Sequence, residues 1–205
     1  MRIDKIILKA FLQTFAAVLL LLGVMFGVLS AAFPQTMMQM TYDMGMDRSS
    51  VNFSVYAYKM HDRVEYIAYG ADTALAAGLY SKADECLEKL VSDDDFNEYC
   101  NERNKTIPED TKTTYQAYYF RQLCLSKYFN GNGKGAVDRA VALMGDTFTV
   151  GNPLTAVLAE ARLDDNLATM QYIKSVMDTL SGKSYSADDQ ENFDKVYSAV
   201  SKWIS

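Results

Sequence analysis

Five methionines crowd one short stretch of the chain: Met37, Met38, Met40, Met44 and Met46. The pairs Met38-x-Met40 and Met44-x-Met46 offer thioethers, soft ligands suited to Cu(I), and Met60 and His61 follow. The competing use of such a stretch is an amphipathic helix at a bilayer surface, where flexible methionine packs readily. Cys86, Cys100 and Cys124 read as small buried hydrophobes or, outside the cytoplasm, as one disulfide, with Cys86 and Cys100 the nearest pair. Their odd number leaves one thiol over. Asp93-Asp94-Asp95 has no EF-hand frame and reads as a solvated loop or a helix start. Gly131-x-Gly133-x-Gly135 lacks the spacing of a phosphate cradle. No G-x-S-x-G or H-E-x-x-H is present, and the single His61 has no identifiable catalytic partner. The chain is therefore not expected to be an enzyme, and no catalytic residue, resident metal or cofactor is assigned.

The chemistry that remains is recognition. Fourteen tyrosines are present, and Tyr115, Tyr118, Tyr119 and Phe120 fall together. On a helix, residues 115, 118/119 and 122 share a face, which serves either as core or as an aromatic binding surface.

What positions these residues begins with the membrane. Phe15 to Phe33 is an uncharged run, and with Ala10-Phe11-Leu12 it exceeds twenty residues. At about 1.5 Å per residue it crosses a hydrocarbon core of roughly 30 Å as a helix. Pro34 stops or bends that helix. A cleaved signal peptide would have a shorter apolar core, although Ser30-Ala31-Ala32 is an imperfect cleavage site. The expected division is a cytoplasmic N-terminus 1–9, a transmembrane helix 10–33, a Met-rich juxtamembrane region 34–61 and a helical ectodomain 62–205. Arg2, Lys5 and Lys9 precede the span and only Arg48 follows within about fifteen residues, so the N-terminus should be cytoplasmic and the remainder extracytoplasmic. Gly23-x-x-x-Gly27, continued to Ala31, makes a ridge on which a second copy could pack as a homodimer or structural subunit. The whole chain has 20 basic and 26 acidic side chains, net −6. The part after the span is more acidic still, which argues against nucleic acid as partner.

Beyond residue 61 the sequence is helical throughout, with little strand-like alternation. Helices are expected over Asp62–Ala77 up to Gly78, from a Ser81 cap through Val91, from Pro108 with Glu109 and Asp110 to about Phe129, and over Lys134–Met144. Asn152-Pro153 opens another, and two more cover roughly 164–180 and 187–204. The fold class is all-α: one transmembrane helix and an extracytoplasmic array of paired antiparallel helices, either repeat-like or an irregular bundle.

The turn Gly78-Leu79-Tyr80-Ser81-Lys82-Ala83 resembles the Gly-x-Tyr-x-x-Ala turn of tetratricopeptide (TPR) repeats, with Ala71 at the small position and Leu87 and Leu90 later. Gly131 and Ala136 repeat these offsets, with Cys124 and Leu143, but Gly133 stands in the Tyr position. Ala83 and Ala136 are 53 apart rather than 34, which makes 93–107 an insertion. Ala168, 32 beyond Ala136, marks a third candidate pair. The resemblance implies that the first helix of each pair lines a concave face. By matched offset that face would carry Glu65 and Asp72, then Tyr118, Arg121 and Tyr128, with Arg121 pairing Glu65 or Asp72. An unidentified protein or peptide would be the partner.

Overall fold

The computed structural model describes residues 2–108, 113–149 and 151–205, with side chains from Ile7 onward. The side chains of Arg2 and Lys5, and Glu109 and Asp110 of the expected helix start, lie outside the described residues. Among the described residues the chain is all-helical. The elements are α1 Arg2–Ala32, α2 Pro34–Asp43, α3 Asp47–His61, α4 Val64–Ala76, α5 Tyr80–Val91, α6 Phe96–Asn104, α7 Tyr115–Phe129, α8 Gly133–Met144, α9 Pro153–Leu163, α10 Leu167–Leu180 and α11 Ala187–Ile204.

The apolar part of α1, Ile7–Ala32, has 26 residues and a mean hydropathy of 2.5. Its length of about 39 Å is enough to cross a membrane. Helical geometry lapses only at Phe33, and Pro34 opens α2, where its missing N–H costs nothing.

Four helix connections share one geometry. A residue with positive φ (Gly45, Gly78, Gly131 or Asp165) follows the helix. The next residue's N–H then reaches back to the preceding helix: Met46 to Thr41, Leu79 to Ala74 and Asn166 to Ala161 at 2.8 Å, and Asn132 to Lys127 at 3.0 Å. This is the Schellman closure, which satisfies the helix-end carbonyls. The same last residue also precedes the first turn of the following helix, so each reversal takes three residues. The four positive-φ positions are 33, 53 and 34 residues apart.

This geometry corrects the expected Ser81 cap. Leu79 closes α4 and occupies the N-cap of α5 without a side-chain bond, so Ser81 already lies inside the helix. The start placed at Pro108 is also corrected: α7 begins at Tyr115, where Thr114 accepts from the Ala117 N–H at 3.2 Å. The Asn152-Pro153 start stands as expected, with Asn152 accepting from Thr155 N at 3.0 Å. Ala168 is exposed, and Met170, four residues past the Asn166 cap as Ala136 is past Asn132, takes the buried place.

Two clusters form the core. Val51, Ile67, Ala71, Ala83, Leu87, Leu90, Phe96, Tyr119 and Leu123 make one. Cys124, Ala136, Val137, Phe148, Leu154, Ile173, Met177 and Phe193 belong to the other. Helix α7 feeds both, because Leu123 and Cys124 lie about 100° apart around its axis. The segment 34–61 contributes to this packing: Met38, Ala57 and Tyr66 form a smaller cluster joining α2, α3 and α4. All three cysteines are buried free thiols.

Candidate functional site

The most developed surface site centres on α6, the segment that reads in sequence as an insertion. Phe96 and Cys100 bury one side of this short helix, which carries Tyr99 and Arg103 one turn apart. The Arg103 guanidinium donates to the Tyr99 hydroxyl at 2.5 Å, to Tyr115 at 3.4 Å and to Tyr119 at 3.5 Å. It lies 4.4 Å from the centre of the Tyr115 ring, a cation–π distance. Asp72 on α4 approaches to 3.8 Å and accepts from the Tyr119 hydroxyl at 3.3 Å.

The electrostatics follow from partial burial. Burial pushes the Asp72 carboxyl above its usual range, with Arg103 and the Tyr119 hydroxyl pulling the other way. For Arg103, burial works against the cation, but its bonds to Tyr99 and Tyr115 outweigh this and hold it charged. Burial, reinforced by Asp72, raises the Tyr119 and Tyr118 phenols, so both stay neutral and able to donate.

Two open clefts flank the Asp72–Arg103 contact, and both residues line each of them. One, of about 530 Å³, has Tyr115, Tyr118, Thr106 and Ile107 in its wall. The other, of about 560 Å³, is bounded by Gln35, Gln39, Glu65, Tyr66 and Tyr69. They make a continuous strip across α2, α4, α6 and α7. Beside it, Glu65, Glu98 and Glu102 line a third, more acidic depression with Asp62 and Asp95, where Arg63 is the one cation in the wall.

Three of the five expected groove residues, Glu65, Asp72 and Tyr118, therefore fall on this strip. Arg121 is half-buried and lines neither cleft. The cation facing Asp72 is Arg103, and Glu65 pairs with Arg63 at 3.2 Å. Tyr128 is buried in the second core cluster, where its hydroxyl donates to Asp164 at 3.0 Å. Arg103, Tyr99, Tyr115 and Tyr119 are the residues the TPR offsets did not select. Tyr115 and Tyr119 were marked in sequence by the tyrosine cluster, of which Tyr119 proves to be core, whereas the signal for Tyr99 and Arg103 was their four-residue spacing.

Gly23 and Gly27 open onto free space, since a Cβ at either would meet nothing within 4 Å, while Ala31 is half-buried. Met38 is buried and Met40 exposed. Two residues apart on a helix, their thioethers diverge. Among the described residues no group of three His, Cys, Asp or Glu side chains is placed to hold a metal.

Comparison with protein-family models, curated proteins and solved structures gives no match.

Proposed function

We propose that this chain is a membrane-anchored, TPR-like helical module that binds a protein or peptide outside the cytoplasm. The observation that carries the proposal is the strip itself: Asp72 and Arg103 on its floor, bordered by Tyr99, Tyr115 and Tyr118, with the buried Tyr119 hydroxyl holding both from beneath. Pre-positioned tyrosines that are partly exposed, as Tyr99, Tyr115 and Tyr118 are, give contact area at low entropy cost, and such residues anchor interfaces. The carboxylates of Glu65, Glu98 and Glu102 along one side favour a partner segment with basic side chains. The four Schellman reversals support the repeat-like reading, because two of their spacings lie at or next to the 34-residue TPR period. On that reading α6 is an insertion that completes the binding face.

The basic residues before the span support a cytoplasmic N-terminus. Helix α1 passes into α2 through one residue, Phe33, so the module would be held close to the bilayer. Fusions at Ser205 test the topology. Alkaline phosphatase should be active there and a cytoplasm-dependent fluorescent protein dark. The reverse pattern rejects the extracytoplasmic placement. Within the strip, Tyr118→Ala should weaken partner binding by roughly 1–2 kcal/mol, and Arg121→Ala should leave it unchanged.

A further inference from the structure

The last turns of α1 are not free. Phe26 packs on Phe53 of α3, with ring centroids 5.5 Å apart. Ser30 is 6% exposed, and its hydroxyl donates to the Phe26 carbonyl at 2.7 Å. At this contact lies an open wedge of about 420 Å³, with Phe26, Gly27 and Ser30 on one wall and Ser49, Asn52, Phe53 and Tyr56 on the other. Lys9 is the last charge before the apolar run. Counting a hydrocarbon core of about 30 Å from there ends it near Leu29 and Ser30. Phe26 lies about one turn below that boundary, which brings Phe53 to within about a turn of it when α1 is inserted.

The outward face of α3 suits that depth. Tyr56 and Met60 are exposed and continue the line of Phe53 at helical spacing. Arg48 and Lys59, three turns apart and both exposed, lie together along one side of the line. Positions 48, 49, 52, 53, 56, 59 and 60 hold two cations and no carboxylate, in a chain where acids outnumber bases. Aromatic and thioether groups edged on one side by basic side chains fit a bilayer interface, where tyrosine prefers the headgroup level and long cations reach lipid phosphates.

We infer that α3 is a second lipid contact: its Phe53/Tyr56/Met60 line rests in the bilayer interface, and Arg48 and Lys59 engage headgroup phosphates. This rests on α1 being a membrane span, and the test separates the two. The full chain is placed in nanodiscs of phosphatidylcholine and phosphatidylglycerol with a single spin label at Asn52→Cys, Val24→Cys or Glu191→Cys. The native cysteines are buried, so labelling goes to the introduced thiol. Collision with oxygen and with a water-soluble nickel chelate reads depth. The inference expects label 24 in the hydrocarbon, label 52 near the phosphate level and label 191 in water. Label 52 as open to nickel as label 191, with label 24 still immersed, overturns the inference and spares the span. Label 24 in water overturns both. Adding Arg48→Glu and Lys59→Glu should move label 52 towards water while label 24 keeps its depth. An unmoved label 52 removes the two cations from the contact.

Discussion

Arg103 of α6 and Asp72 of α4 stand 3.8 Å apart at the point shared by two clefts. Burial raises the Asp72 carboxyl despite this cation. A carboxyl whose folded pKa exceeds its unfolded one binds its proton more readily in the native state, so the fold gains stability as pH falls from neutral towards the ordinary carboxylate range. Asp72→Asn cannot titrate. Urea unfolding of both proteins should show the difference moving in favour of the wild type as pH is lowered. A difference independent of pH contradicts the burial.

Lys127 joins α7 to α5, and the shared Glu88 extends the network to α8. The Lys127 ammonium lies 2.7 Å from Asp84 and 2.9 Å from Glu88, and Glu88 also meets Arg139 at 2.8 Å. Burial opposes the charge on Lys127, but its bonds to the two carboxylates prevail and raise its pKa above 10.5. Lys127→Met leaves both carboxylates without their shared cation and should cost roughly 1–3 kcal/mol, less than for a fully buried pair. The contribution is whole below pH 10.5 and lost as pH rises through the folded value. The gap in denaturation midpoint between wild type and variant should therefore hold from pH 7 to 10 and close in stronger alkali.

Gly70 lets α4 approach α3. A Cβ there would collide with the Ser54 hydroxyl and lie 3.1 Å from the Ser54 Cβ. Alanine is the better helix former by about 1 kcal/mol, yet Gly70→Ala should destabilise by roughly 1–3 kcal/mol because a buried short side chain cannot move aside. Combining it with Ser54→Gly should give a favourable coupling energy in a double-mutant cycle. Additive effects would mean that the helices separate freely.

Burial pushes the Cys86 and Cys124 thiols up to about 12 and Cys100 to about 11. At pH 8 the thiolate at the first two is on the order of one part in ten thousand. A maleimide should leave the native protein unlabelled and take up three equivalents after denaturation. Fast native labelling, or fewer than three thiols in denaturant without reductant, contradicts three buried free cysteines.

The helices were legible because their signals are local. Apolar spacing marked α4 and α5, the glycines at 131, 133 and 135 set the start of α8, and Asn152-Pro153 marked α9. Ser81 was misleading because a serine near a turn signals a cap only when the preceding helix does not already use that turn to close itself. The site was half legible. Glu65, Asp72 and Tyr118 follow from repeat offsets, whereas Arg103 belongs to a segment outside the repeat pattern. Only the packing of α6 against α4 and α7 brings it to Asp72, and such a contact leaves no periodic trace in sequence. Tyr128 shares its helix with Tyr118 but faces the second cluster, where Asp164 from a distant turn takes its hydroxyl.

The most direct measurement of the central claim is site-specific photocrosslinking in the native membrane. The full chain carries p-benzoylphenylalanine in place of Tyr118, and separately in place of Glu191 on exposed α11. The account predicts a discrete adduct from position 118 that is lost on adding Asp72→Ala, and no such adduct from position 191. No adduct at 118, or the same adduct from both positions, would contradict a binding face on the Asp72–Arg103 strip.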